Sequence, residues 1–210
     1  QALRARLESM PKVELREGVA VERLLTEGDR VVGVASRDGQ LSAEHTIVCG
    51  GAWAGQLLET VGIDLPVRPV KGQMILFKAP PGLVERVVLM DGRYVIPRND
   101  GRILAGSTLE DVGYDKATTA EARESLHASA LRIIPALAQC PVEYHWAGLR
   151  PGSPKGIPFI GAATGLQGLS VNAGHYRNGL VLAPASTRLL VDTLLGRTPI
   201  VDPEPYRLPA

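Results

Sequence analysis

Glycine and proline set the scale of anything this chain can build. There are 23 glycines and 16 prolines in 210 residues, spread along the whole length. Together with charged residues they interrupt every apolar stretch within about ten residues, so no segment is long enough to span a bilayer. Between the breaks lie short strands and a few helices. A chain of 210 residues suits one large domain or two small ones and is long enough to bury a core. Apolar residues make up 45% and charged residues 21%, as in an ordinary globular protein. A net charge of +1 gives no basic footprint for nucleic acid and no acidic tail.

Leu3, Leu7 and Met10 have the spacing of one helix face, stopped by Pro11. The opening residues lack an apolar signal-peptide core and an initiator Met, and they read as the middle of a helix, so a fragment is expected. Strand character follows at Val13–Arg16, Ala20–Leu25, Val31–Ser36 and Thr46–Cys49, separated by turn signals at 27–30 and 37–40. This predicts a β-meander ending in a buried strand, then a helix from Gly50-Gly51-Ala52 to Gly62. Strands are also expected at 72–77, 87–89, 94–97 and 103–107, with a tight turn at 98–101. A helix is expected over 120–134, capped by Thr118 or Thr119. Residues 147–161 read as ordered loop and short strand, 169–172 as strand, and 179–195 as a long apolar helix. The element order suggests two intertwined units. Residues 1–64 with 145–210 would form an α/β layer, and 65–144 an inserted, mostly antiparallel sheet carrying a helix.

Cys49 and Cys140 lie far apart among apolar residues and read as free, buried thiols in a reducing compartment such as the cytoplasm. The four histidines are isolated, so no metal is assigned. Asp91, Asp100, Glu110 and Asp111 read as solvated turn carboxylates. Four short stretches could carry chemistry. In Ala147-Gly148-Leu149-Arg150-Pro151-Gly152 a guanidinium precedes a proline; its planar fork matches a carboxylate, although a surface arginine fits the spacing equally. In Gly174-His175-Tyr176-Arg177-Asn178-Gly179 two glycines permit close approach of backbone to a ligand, and the amides opening the next helix favour negative charge; a plain helix-capping loop is the alternative. Tyr94, on the strand 94–97, is either a ligand-facing phenol or a core tyrosine. Cys49-Gly50-Gly51-Ala52-Trp53 is a strand–Gly–helix junction, a weak dinucleotide signal by itself.

In this order the pieces resemble the amine oxidase family that includes glycine oxidase, D-amino acid oxidase and sarcosine oxidase. Pro66-Val67-Arg68-Pro69-Val70-Lys71-Gly72-Gln73 resembles the family's strand into its substrate domain. Tyr94-Val95-Ile96-Pro97-Arg98 and Trp146-Ala147-Gly148-Leu149-Arg150-Pro151 resemble its substrate strand and loop. Residues 174–184, from Gly174 to Pro184, resemble its flavin loop and helix. The last two are the specific ones, and they point to the glycine oxidase branch that serves thiamin biosynthesis. The family's N-terminal GxGxxG has no counterpart here.

The resemblance implies an α/β fold of the α+β kind, with part of an FAD-binding domain and an inserted antiparallel substrate sheet. It implies non-covalent FAD, a small amino acid or amine as substrate and molecular oxygen as acceptor, with a homo-oligomer left open. Tyr94, Arg150 and Arg177 would be the catalytic set. Arg150 would clamp the substrate carboxylate, Tyr94 would donate to it, Arg177 would set local charge, and Leu109 and Trp146 would line the pocket. Val19, Gly50, Gly51, Trp53, Arg150, Gly174, His175, Arg177, Asn178, Gly179 and Leu180 would surround the cofactor. The product would be a 2-oxo acid with ammonia and hydrogen peroxide. A flavin dehydrogenase with another acceptor and a non-catalytic amino-acid-binding fragment are the competing readings.

Overall fold

A computed structural model describes residues 1–209. Strands β1 (Val21–Glu27), β2 (Arg30–Ser36) and β3 (Gly39–Ser42) form an antiparallel meander. The next strand, β4 (Thr46–Val48), leaves the meander and pairs in parallel with β11 (Leu169–Ala173), Thr46 opposite Leu169. On its other side β11 pairs antiparallel with β10 (Phe159–Ala162), giving the order β10-β11-β4.

That small sheet is covered on both faces. Val48, Leu169, Val171 and Ala173 share a core with Ala54 and Leu58 of α2 (Ala54–Glu59) and with Leu24 and Val31 of the meander. Ile160, on the opposite face, packs against Leu189 and Leu190 of α4 (Gly179–Leu194).

The larger sheet has the order β6-β7-β8-β5-β9, all antiparallel. Its strands are β5 (Arg68–Lys78), β6 (Val88–Met90), β7 (Arg93–Pro97), β8 (Arg102–Gly106) and β9 (Val142–Gly152). Helix α3 (Ala120–Ile133) lies on one face. Its N-cap is Thr119, whose hydroxyl accepts from the Ala122 amide. Leu126 and Ala130 of α3, with Leu137 beyond it, bury Ile75, Phe77, Val95, Ile103 and Ala105. At about 25 cal/mol per Å² of apolar surface, this contact is what fixes α3 on the sheet.

The mixed α/β class with a largely antiparallel sheet is as the sequence led us to expect. Several local expectations are corrected. Val13–Arg16 is not a strand and joins none of the sheets among the described residues. β3 appears where only a turn was read; its four residues are all exposed and carry no apolar pattern. β4 does not close the meander, since its partner lies over a hundred residues away in sequence. The helix after Gly50 is a 3-10 turn, Gly51–Trp53, followed by the six residues of α2. Residues 147–152, read as part of an ordered loop with short strand, are the second half of one long strand, β9, which pairs along β5. The cysteines are free, but Cys49 is exposed and Cys140 half-buried. Helix α1 (Ala2–Glu8) forms as expected, yet buries none of its residues. No helix among the described residues is long and apolar enough to cross a membrane.

Candidate active site

Side chains alternate across the five-stranded sheet, so the register decides what meets what. Gln73, Ile75 and Phe77 point toward α3. The other parity of β5, Val70, Gly72, Met74 and Leu76, faces away from α3 and lies beside Arg150, Gly148, Trp146 and Tyr144 of β9 in turn. Tyr94 of β7 stands opposite Gly106 of β8, which in turn stands opposite Met74. Tyr94, Trp146 and Arg150 therefore share one face of one sheet.

Two glycines make this face work. The Arg150 side chain lies across β5 at Gly72, and a Cβ there would overlap its guanidinium. A Cβ at Gly106 would come within 3.0 Å of the Tyr94 hydroxyl. Reading the sequence singled out neither glycine; the signal was a glycine on the same strand parity as a charged neighbour. With Gly72 out of the way, Arg150 reaches the chain that follows β8. Its Nη2 donates to Ser107 Oγ at 2.7 Å and its Nη1 to the Thr108 carbonyl at 3.3 Å. A guanidinium has five N–H groups, so three donors are left for a ligand. The Tyr94 hydroxyl has a weak contact with Met74 Sδ at 3.9 Å and is otherwise free to donate.

Leu109 follows Thr108 directly and is exposed. The next residue corrects an expectation. Glu110 is not a solvated turn carboxylate: it is buried to three quarters and receives bonds from Lys71, Gln73 and Thr108. Asp91, Asp100 and Asp111 do lie in exposed ion pairs, with Arg132, Arg102 and Arg68.

The loop 174–178 is tied to the strand that carries Arg150. The Tyr176 amide donates to the Pro151 carbonyl at 2.9 Å, and Ser153 Oγ donates to the Gly174 carbonyl at 2.7 Å. Tyr176 holds φ at +50°, a left-handed conformation that costs a residue with a Cβ about 1–2 kcal/mol. Burial lowers the pKa of His175, so the ring is neutral at pH 7, and its Nε2 is buried without a hydrogen-bond partner. Arg177 and Asn178 are exposed, and Leu180, in the first turn of α4, is 92% exposed.

Gly50 and Trp53 line a second region, a cavity of about 530 Å³ bounded by Glu22, Val34, Ile47 and Leu57. The turn Gly51–Trp53 lies against β5 and β9. The Tyr114 hydroxyl donates to the Ala52 carbonyl at 3.0 Å, and its ring packs on Trp53 with centroids 5.9 Å apart. Val19 is half-buried beside the meander, in a smaller cavity that shares Val21 and Val34 with the first. A hollow of about 600 Å³ on the sheet's free face shares Trp146 with the candidate site but lies toward Arg98 and Arg102, away from Arg150 and Tyr94. Among the described residues no cluster of His, Cys, Asp or Glu could hold a metal.

Comparison with known proteins places the chain in a class of flavoprotein oxidoreductases. Residues 1–193 match the family model described as FAD dependent oxidoreductase, and the chain belongs to that family. It is 55% identical over 206 residues to a glycine oxidase of Pseudomonas aeruginosa, covering 98% of this chain and 57% of that protein. It is 38% identical to the hydrogen cyanide synthase subunit HcnC of the same species, over 87% of this chain and 44% of the other. The crystal structure of glycine oxidase from Geobacillus kaustophilus superposes with a TM-score of 0.88 at 30% identity, covering 94% of this chain and 53% of that one. The chain thus spans a little over half the length of these two glycine oxidases and less than half that of HcnC.

Proposed function

We propose that this chain supplies the substrate face and part of the cofactor cradle of an FAD-dependent oxidase acting on glycine or a similarly small amino acid. The observation that carries the reading is the Arg150 guanidinium. It is seated across Gly72, held by Ser107 and Thr108, and keeps spare donors on the face it shares with Tyr94. Two spare N–H groups match a carboxylate in a fork, and the Tyr94 hydroxyl supplies a further donor. The family and the glycine oxidase relatives support the choice of substrate.

The residues present suit FAD. His175 Nε2 is a buried, unpartnered polar atom in a neutral ring, next to the glycine-bounded turn that opens α4. The parallel strands β4 and β11 both run into glycines, at Gly50-Gly51 and Gly174, where open α/β sheets receive ligands. Gly174, His175, Arg177, Asn178, Gly179 and Leu180 would hold the ring system, and Val19, Gly50, Gly51 and Trp53 the remainder. When bound, FAD supplies the two-electron oxidation of the amine and passes the electrons to oxygen as hydrogen peroxide.

The chain's own contribution is orientation. Arg150 and Tyr94 hold the carboxylate, which fixes the α-carbon beside the cofactor and gains effective molarity. Arg177 would add positive charge near the substrate, and Leu109 and Trp146 would line its pocket. The amino group must be neutral to release hydride, and with no general base on this face its proton leaves to solvent. Water then hydrolyses the substrate imine to the 2-oxo acid and ammonia.

The test is a visible spectrum of the flavin-loaded polypeptide before and after glycine is added without oxygen. Bleaching, with peroxide on readmission of air, supports the reading; bleaching without peroxide moves it to a dehydrogenase. The Arg150→Lys variant keeps the charge and loses the fork, so KM for glycine should rise at least about tenfold. Unchanged kinetics in that variant would sink the assignment of Arg150.

A further inference from the structure

Beneath the sheet, on the side of α3, a run of polar groups leads away from the Arg150 anchor. Past β8 the chain continues beside β5: Lys71 and Glu110 exchange backbone hydrogen bonds at 2.9 and 3.0 Å, and the Thr108 amide donates to the Gln73 carbonyl. The side chains lock the same segment. Thr108 Oγ accepts from the Gln73 amide at 2.7 Å and donates to the Glu110 carboxylate. That carboxylate also accepts from Gln73 Nε2 at 3.0 Å and pairs with Lys71 Nζ at 3.1 Å. Lys71 and Gln73 are 2% and 0% exposed. Lys71 spends its other donors on Asp115 and on the Ala117 carbonyl. Gln73 Oε1 accepts from the amide of Thr119, the cap of α3. From β7, Arg93 fastens the Ser107 carbonyl at 2.5 Å.

We propose that Glu110 is a positioning residue for Arg150, acting through Thr108. The inference rests on reading Arg150 as the carboxylate clamp. An ionised carboxylate only accepts, so the one proton of the Thr108 hydroxyl must point at Glu110 and its lone pair must face the Gln73 amide. This one-way relay fixes Thr108 and Ser107, whose carbonyl and hydroxyl are the two acceptors that aim the guanidinium. A charged anchor at 108–110 therefore sets the pose of a charged clamp on the other face of the sheet. A shift of about 1 Å in such a clamp can cost up to a hundredfold in turnover efficiency. The Gln side chain in a Glu110→Gln variant can donate as well as accept, so the relay loses its direction while the volume stays the same.

The experiment measures acetate binding by calorimetry and glycine kinetics on the flavin-loaded polypeptide, for Glu110→Gln, Thr108→Val and Arg150→Met, alone and combined. Glu110→Gln and Thr108→Val should each weaken acetate binding and raise KM about tenfold, with kcat changed by less than about threefold. Added to Arg150→Met, neither should weaken acetate further, because they act through the guanidinium. Parent-like acetate affinity in folded Glu110→Gln overturns the proposal, as does an undiminished loss in the Arg150→Met background. If Glu110→Gln fails to fold, Thr108→Val decides by the same two criteria. An Arg150→Met variant that binds acetate as well as the parent would overturn the clamp itself, and this inference with it.

Discussion

The two faces of the five-stranded sheet are made by the same strands and are built to opposite ends. Against α3 lie Ile75, Phe77, Val95 and Ile103, closed over by Leu126 and Leu137, and the buried polar groups there, Lys71 and Gln73, have every donor engaged. The other face carries glycines at 72, 106 and 148, exposed Tyr144 and Trp146, a tyrosine hydroxyl with little to bond and an arginine with donors to spare. The α3 face is packed shut, with His145 Nε2 buried there without a partner, and the other face is left open with donors to spare. Strand parity makes this division possible, since neighbouring residues sit on opposite sides. It also means that the symptom of a substitution follows from its parity: odd positions in β5 should fail by unfolding, even ones by losing recognition.

The largest test of that contrast is Phe77→Ala. It empties a fully buried aromatic site and should cost about 3–5 kcal/mol in a urea melt; a loss under about 1 kcal/mol would break the comparison. Gly72→Ala adds one methyl on the opposite parity. The guanidinium is the far end of a flexible chain and can swing away, so the melting temperature should stay within about 2 °C. KM for glycine should nevertheless rise at least about thirtyfold, because the clamp loses its seat. Tyr94→Phe removes a single donor to a charged group, and about a tenfold rise in KM with intact folding is expected. The smallest effect is on acid stability. Burial pushes the Glu110 pKa up, but bonds from Thr108, Gln73 and Lys71 prevail and hold it below the usual carboxylate range. Its contribution is thus present above the unfolded value of about 4.3 and lost as pH falls through the folded value. Glu110→Gln should melt about 2–4 °C lower at pH 7, and the gap should close as the pH falls below the usual carboxylate range. A gap that widens in acid would mean the carboxylate is not held down.

Much of this was legible from residue order. Local signals were strong at α3, where Thr119 and the acidic first turn mark the start, and at α4, where Gly179 opens an apolar run. They fell short at β9, whose Gly148, Pro151 and Gly152 argue for loop and short strand rather than for the end of an eleven-residue strand. Pro151 is tolerated because β9 is an edge and faces Pro69 at the end of β5, so neither lost N–H interrupts the middle of the sheet. They failed at β4, since a parallel partner at 169–171 leaves no local trace. For the candidate site, motifs named Arg150 and Tyr94, but the seat at Gly72 and the burial of Glu110 depend on register. Register is a property of two strands together, so it cannot be read from either alone.

The hydrogen bond from the Tyr176 amide to the Pro151 carbonyl joins the turn ahead of α4 to the residue after Arg150. Any ligand that steadies one end of that bond reduces the ordering left for a ligand at the other. The two affinities are then linked, and linkage is symmetrical: the factor by which a bound carboxylate tightens the hold on the cofactor equals the factor by which the cofactor tightens the hold on the carboxylate. A substrate analogue would then slow loss of the prosthetic group on dialysis by more than any contact the two share at Arg177 accounts for.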